Sequence, residues 1–440
     1  MRLRLAVLPV VMALAAIGTP TYAGGLMNTP SLVILGGGTF GNSVAVADIN
    51  GDGFGDIIVG APSDSGAIPY SHNGSVSIYL GSAAGPSDIP SRVLISPERN
   101  GTGSFGYSVA RLGDWNGDGI DDFAVGEPGY QSKGAAHVYL GSATGPRTSP
   151  DWTAVGDRMS CCGYGQRVAG AGDVNGDGFS DLLVSNSYFQ NLTGKAQLYH
   201  GAQRRASTKP AWTAVGVSEN SLFGDELAGA GDVNNDGFDD VLVSDKGFQW
   251  PGGELGRVLL YEGRSQGLQT TASWVAVGQT SGVFGWSVAS VGDLNADGFS
   301  DFAIGNNQFE GRGQAFVYLG SAAGPVTPPA LTLTGDVLDA SLGYAIASAG
   351  DVNNDGFDDF LISAARRQQT FPREGRVYLH LGSASGPSGT PAWFVDGGQP
   401  DANLAWWLAG GDVNGDGYSD AVLGNPNNNG DRVLLYLGIP

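Results

Sequence analysis

The sequence predicts an all-β fold, a seven-bladed β-propeller of four-stranded antiparallel blades, on three observations. The nonapeptide Asp-x-Asn-x-Asp-Gly-x-x-Asp occurs seven times, opening at Asp48, Asp114, Asp173, Asp232, Asp293, Asp351 and Asp412, in steps of 66, 59, 59, 61, 58 and 61 residues. Each period carries four strand-like runs in a constant order, the content of a propeller blade. Helix-forming stretches are scarce in a chain with 73 Gly and 15 % charged residues. A WD-type ring would repeat every ~40–45 residues and a helical solenoid would place helices in each repeat, so both are excluded.

Residues 1–23 read as a signal peptide. Arg2 and Arg4 precede the apolar run Leu5 to Ile17, and Thr21-Tyr22-Ala23 ends in a small residue. That run is short for a membrane span and no later stretch reaches 18 apolar residues, so a secreted (extracellular or periplasmic) protein without a span is expected. Residues 24–440 then form one propeller. Within a period the first strand is built of small residues, as in Ser43–Ala47, Val168–Gly172 and Ile346–Gly350. Seven such strands converge on the axis, where space is least. The second strand is apolar (Asp56–Gly60, Asp122–Gly126), the third ends in a Gly-Ser turn (Val76–Ser82, Ala315–Ser321), and the fourth often carries Trp (Trp152–Val155, Trp212–Val215, Trp274–Val277). The seventh repeat reaches only its third strand, Val433–Gly438, whereas Ser31–Leu35 precedes the first repeat. The N-terminal strand is therefore expected to complete the last blade and leave no long unpaired edge.

The nonapeptide is hard-cation chemistry. Three carboxylates and an amide oxygen occupy positions 1, 3, 5 and 9, a backbone carbonyl is available at position 7, and Gly at position 6 permits a sharp turn. Oxygen donors without Cys or His favour Ca2+, with up to seven structural ions. The expected ligands are Asp48, Asn50, Asp52, Phe54 and Asp56 (residues 48–56), then Asp114, Asn116, Asp118, Ile120 and Asp122 (114–122). They continue with Asp173, Asn175, Asp177, Phe179 and Asp181 (173–181), and Asp232, Asn234, Asp236, Phe238 and Asp240 (232–240). The last three sets are Asp293, Asn295, Asp297, Phe299 and Asp301 (293–301); Asp351, Asn353, Asp355, Phe357 and Asp359 (351–359); and Asp412, Asn414, Asp416, Tyr418 and Asp420 (412–420). Position 12 is aliphatic throughout (Val59, Val125, Val184, Val243, Ile304, Ile362, Leu423), which excludes the EF-hand and dockerin readings and makes each loop a strand-to-strand link. Acidity follows: 21 loop carboxylates account for the size of the formal charge of −21, so nucleic acid is not an expected partner. Cys161 and Cys162 are adjacent, as a vicinal disulfide or two free thiols, and do not staple the fold.

Phe40-Gly41 before the first strand, the nonapeptide, and Gly60-Ala61-Pro62 after the second strand together resemble the FG-GAP repeat of the integrin α-subunit head. Phe-Gly recurs at Phe105, Phe223 and Phe284, becomes Tyr164-Gly and Leu342-Gly, and is lost at Ala405-Trp406; Gly-Ala-Pro decays to Gly126-Glu-Pro, Gly424-Asn-Pro and Ser185-Asn-Ser. Integrin heads carry the calcium loop in some blades, whereas all seven repeats have it here. The resemblance implies a secreted, calcium-stabilised propeller that binds a ligand. Heterodimer partnership is not carried over, because no leg domain, span or inserted ligand domain accompanies the ring, and a monomer is expected.

All metal loops should lie on one face, with ligand contact on the other, where loops after the second strand carry a recurrent aromatic-amide pair. Tyr130, Phe189, Phe248 and Phe309 are the ring members; Trp250, Arg366, Arg367 and Phe371 add to them. These residues suit a protein or glycan surface, or else pack on neighbouring blades. Catalytic constellations are absent: Gly263-Arg-Ser265-Gln-Gly267 falls where other repeats turn, and His137, His200 and His380 lie on third strands with His72 in a loop. Asn73, Asn100 and Asn191 open glycosylation sequons, relevant in a eukaryote. The expected function is a non-catalytic adhesion or recognition module. The alternative is a propeller-type extracellular enzyme, a polysaccharide lyase or lipid-cleaving hydrolase.

Overall fold

Seven four-stranded antiparallel sheets follow one another along the chain. The computed structural model describes residues 25–64, 73–98, 103–157, 163–249, 255–278, 282–426 and 430–440; the expected signal peptide, His72, Asn100, Cys161, Cys162 and Trp250 lie outside them. From the axis outward, blade 1 holds Ser43–Ala47, Asp56–Ala61, Ser75–Tyr79 and Arg92–Ile95. Blade 2 holds Ser108–Gly113, Asp122–Glu127, Ala135–Tyr139 and Trp152–Val155, and blade 3 Val168–Gly172, Asp181–Asn186, Lys195–Tyr199 and Trp212–Val215. Blade 4 runs Phe223–Gly231, Asp240–Gln249, Leu255–Tyr261 and Trp274–Val277; blade 5, Phe284–Gly292, Asp301–Asn306, Gln314–Tyr318 and Leu331–Thr334. Blade 6 has Leu342–Gly350, Asp359–Ala364, Arg376–His380 and Trp393–Asp396.

Blade 7 takes its outermost strand from the other end of the chain. Leu32–Leu35 pairs antiparallel with Arg432–Tyr436, outside Asp420–Asn425 and Trp407–Gly411, in the register Leu32↔Leu435 to Leu35↔Arg432. The clasp extends beyond that strand: Gly25–Leu26 pairs with Gly438–Ile439, and the Trp393 indole N–H donates to the Met27 carbonyl at 3.1 Å. Each innermost strand packs on its two neighbours, and Trp407–Gly411 meets Ser43–Ala47 to close the ring.

Burial follows position in the blade. The second strands read as unbroken apolar runs because both of their faces are covered by adjacent blades; Asp56–Ala61, Asp122–Glu127 and Asp181–Asn186 are buried at every residue. Outermost strands alternate instead, so that Leu94 is buried between exposed Val93 and Ile95. Among the described residues the core is seven apolar clusters, each shared by two neighbouring blades. Crowding at the axis is direct: a Cβ on Gly170, Gly229 or Gly410 would lie 2.5–2.6 Å from backbone atoms of the preceding blade.

The innermost strands of blades 4, 5 and 6 are longer than expected, starting at Phe223, Phe284 and Leu342 rather than at the small residues. The reason is the Phe-Gly tag. In these three blades the tag residue pairs with the end of its own blade's second strand, Phe223↔Asp245, Phe284↔Asn306 and Leu342↔Ala364, which extends the ladder; Phe105, Tyr164, Phe223 and Leu342 are also buried and form single bridges to Gly74, Gly134, Gly194 and Gly313 of the preceding blade. Ala405 is buried among the side chains between blades 6 and 7, although the tag is lost there.

Candidate metal loops and recognition face

Each nonapeptide wraps around its first aspartate. In blade 1 the Gly51 and Asp52 N–H groups donate to Asp48 Oδ1 at 2.8 and 3.1 Å, and Gly53 N–H donates to Asp48 Oδ2 at 2.8 Å. Asn50 Oδ1 accepts the Asp52 N–H at 2.9 Å, and Asp52 Oδ1 accepts the Phe54 N–H at 3.1 Å. The same pattern turns blade 7 around Asp412, with Gly415 and Gly417 donating at 2.6 and 2.9 Å. Alternation of polar and small residues produces it: each side-chain oxygen reaches an N–H two to five residues on, a short-range bond that stabilises the turn. Gly53 and its six equivalents sit at positive φ, as position 6 requires.

The ninth aspartate does something the spacing did not disclose. Asp56 is wholly buried; its Oδ2 accepts the Ile49 N–H of its own loop at 3.1 Å, and its Oδ1 accepts the Gly81 N–H from the turn after the third strand at 2.8 Å. Every blade repeats this second bond, from Gly141, Gly201, Gly263, Gly320, Gly382 and Gly438 to Asp122, Asp181, Asp240, Asp301, Asp359 and Asp420 at 2.7–3.0 Å. The loop therefore lies on the same face as the outer turn, and is pinned to it. Neighbouring blades are joined here too: the Asp48 carbonyl accepts the Asp121 N–H at 3.2 Å and the Ile49 carbonyl accepts the Ser142 N–H at 3.0 Å, with the bond from position 8 to position 1 recurring round to Gly55 and Asp412 at 2.8 Å. Hydrogen-bond belt and oxygen-rich loops coincide.

Charge in this belt is sparsely compensated, and Arg111 Nε reaches Asp121, at position 8 of its loop, at 2.8 Å. Of the 21 carboxylates at positions 1, 5 and 9, Asp181 has an ion-pair partner among the described residues, His200, whose Nδ1 is 3.1 Å from its Oδ2. Burial pushes the carboxyls of Asp56, Asp122, Asp240, Asp301, Asp359 and Asp420 up to about 7. Asp181 is raised as well, by burial opposed by the bond from His200; that same bond raises the imidazole. Among the described residues no three carboxylate, imidazole or thiolate groups converge into a ready-made cage. The donor set nevertheless fits a hard cation: it is all oxygen, and a carboxylate oxygen that accepts one N–H keeps lone-pair capacity for an ion. His200 was expected on a third strand and lies one residue past Lys195–Tyr199, where it reaches Asp181 and comes within 3.2 Å of the Asn175 amide.

On the opposite face the aromatic-amide pairs have a local cause. Tyr130, Phe189 and Phe309 each open a one-turn segment whose next residue, Gln131, Gln190 or Glu310, has φ of 47, 44 or 46°. Phe248 instead remains within Asp240–Gln249. Phe189 is buried under Lys195, whose Nζ is 4.4 Å from the ring centre, Arg257 covers Phe248 at 3.8 Å, and Tyr130 meets His137 edge-on at 5.4 Å. Arg367 is buried and forks onto Asp336 with bonds of 2.6–3.1 Å, Phe371 is half-buried, and Arg366 is exposed. Tyr130, Phe189, Phe248 and Arg367 are thus engaged within the fold, whereas Phe309 is half-buried and lines a cavity with Phe284 and Phe316.

One acid-base pair escaped the sequence reading. His137 Nε2 lies 3.0 Å from Glu127 Oε2, in a chain that continues to Ser96 and Thr153, because Glu127 and His137 are diagonal neighbours on paired strands. Both side chains have no exposed surface, so the pair is walled off from any substrate. No helix among the described residues is long and apolar enough to cross a membrane.

Comparison with known proteins agrees with this geometry. The FG-GAP repeat matches residues 40–79, 284–318, 342–380 and 404–436, and the FG-GAP-like repeat matches residues 114–184. Similar proteins include integrin alpha-7 of Rattus norvegicus, 38 % identical over 148 residues (33 % of this chain and 12 % of that protein). Integrin alpha-V of Gallus gallus is 30 % identical over 214 residues (46 % and 20 %), and integrin alpha-PS3 of Drosophila melanogaster 36 % over 151 residues (33 % and 13 %). The aligned regions thus span between an eighth and a fifth of these relatives. With tag, nonapeptide and seven four-stranded blades in register, the chain is an integrin-like FG-GAP repeat propeller protein.

Proposed function

We propose that this protein is a secreted, calcium-stabilised recognition module that binds an extracellular protein or glycan without catalysing a reaction. The observation that carries this reading is the division of the disc into two unlike faces. One face repeats the same acidic loop seven times and binds the ring together; the other carries loops that differ in length and residue type from blade to blade. Rigid scaffolds that vary only their loops are the usual means of presenting a binding surface. In the metal loops Asp48, Asn50, Asp52 and Asp56, with the Phe54 carbonyl, and their equivalents would hold Ca2+, which supplies the positive charge that the buried ninth carboxylate lacks. The similarity to integrin α subunits supports an extracellular setting, and residues 1–23 supply an export signal in this reading. The buried Glu127–His137 pair offers no route to an enzyme. Immobilised full-length protein in 2 mM calcium, screened against extracellular-matrix proteins and arrayed glycans beside a lyase and esterase panel, should show saturable binding and no turnover. Turnover without stable binding would overturn the reading.

A further inference from the structure

The innermost strands begin on the face away from the metal loops, and around the axis there they enclose a cavity of about 370 Å³, within the ~300–1,000 Å³ range of small-molecule sites. Its wall has two unlike halves. Blades 5, 6 and 7 contribute Trp286, Tyr344 and Trp406 as a curved row of rings, with centroids 5.5 and 5.7 Å apart and planes inclined by 48 and 43°. These rings are partly exposed, Trp406 by 37 %.

Blades 3 and 4 supply charge that is already balanced. Arg167 is clamped by Glu226 through bonds of 3.1 and 2.9 Å, and its guanidinium lies 4.6 Å from the Trp407 ring centre. Lys246 Nζ contacts Asp225 at 2.8 Å and Glu226 at 3.5 Å, and sits 4.6 Å from the Trp286 ring centre. Two cations against two carboxylates leave no net charge to attract an ion. The carboxylates nonetheless keep free lone pairs, so the polar half can still exchange hydrogen bonds with hydroxyl groups.

We infer that this axial cup is a binding site for a neutral saccharide, a pyranose ring whose C–H face lies on the Tyr344–Trp406 arc while its hydroxyls face Asp225 and Glu226. A flat apolar ligand would leave the charged half unmatched, and an ion would meet charges already cancelled. A ring with one apolar face and an equatorial rim of hydroxyls matches both halves. The inference rests on the recognition role proposed above and names the ligand class and its seat.

The test uses the full chain in 2 mM calcium on an array of neutral, sialylated and sulfated oligosaccharides, matrix proteins and Lys/Arg-rich peptides. Neutral glycans that bind are then titrated by tryptophan fluorescence against wild type, Trp406→Ala and Tyr344→Ala, with melting curves to confirm folding. Neutral saccharides should bind, and each substitution should weaken them at least about tenfold in protein that melts normally. Neutral-glycan binding that neither substitution changes, or binding confined to charged glycans or cationic peptides, would overturn the axial site. Binding to matrix proteins with no saccharide bound would overturn it too while leaving the recognition role standing; silence across the array would remove both.

Discussion

The two faces of the disc are built from loops of opposite character, and the contrast separates what holds the ring from what the ring presents. On the metal-loop side, seven copies of one nonapeptide make the same bonds in every blade: side chain to loop, ninth aspartate to outer turn, carbonyl to the next blade. On the far side the loops after the second strand share little beyond a tight turn in blades 2, 3 and 5. A repeated face is one on which a change in any copy costs about the same. A varied face can change in one blade without disturbing the rest.

The largest test of that division removes the clasp, which belongs to neither face. Deletion of residues 31–36 strips blade 7 of Leu32–Leu35 and uncovers the core around buried Ile34; lost burial and ladder bonds together should cost on the order of 5 kcal/mol. A melting temperature unchanged by the deletion would show that the ring closes by other means.

Within the repeated face, positions 9 and 5 of one loop should respond differently. Asp240→Ala leaves the Val233 and Gly263 N–H groups without their acceptor, a loss of about 3 kcal/mol that persists in chelator, with about 1 kcal/mol more in millimolar calcium because the same carboxylate is a proposed ligand. Asp236→Ala removes an exposed oxygen and should cost about 1 kcal/mol in millimolar calcium and much less in chelator. Chemical denaturation of both variants in both buffers reads the contrast directly; equal losses for Asp236→Ala in the two buffers would remove that loop from the metal sites.

Acid should sharpen the comparison through His380, on a third strand. Burial lowers its imidazole from 6.5 to about 4, with its Nδ1 donating to the Ser388 carbonyl at 2.8 Å and its ring stacked on Phe360. The folded state thus holds a neutral ring that the unfolded chain protonates more readily. Stability is full above pH 6.5, falls as pH drops and levels off near pH 4, with a total on the order of 3 kcal/mol. The stability difference between wild type and His380→Phe should change by about that amount across the window, while the titration of the buried aspartates is common to both proteins. Parallel curves would contradict the assignment.

The smallest effect is expected on the varied face: Arg366→Ala, at an exposed side chain, should change stability by less than about 0.5 kcal/mol.

Much of the ring was legible because its period is written in chemically distinctive residues. Seven aspartate loops set the blade count, small residues marked the axis, and the incomplete seventh repeat pointed to Leu32–Leu35. What stayed hidden depends on contacts between distant residues. The ninth aspartate looked like one more ligand, and its bond to Gly81, 25 positions away, exists only once the third strand has folded back. Glu127 and His137 belong to no motif and meet through strand register. Tyr344 and Trp406 are ordinary aromatic residues in sequence and become an arc only at the ring axis. The aromatic-amide pairs stood out by recurrence, which the turn geometry at Gln131, Gln190 and Glu310 also produces.

The claim on which the rest turns is that the repeated face is a cation-dependent clamp. Calcium titration of metal-stripped full-length protein, followed together by melting temperature and by bound metal per chain, addresses it most directly. Several ions per chain should bind at millimolar calcium and the melting temperature should rise by roughly 10 °C. Protein that melts identically with and without calcium and retains no divalent metal would contradict it.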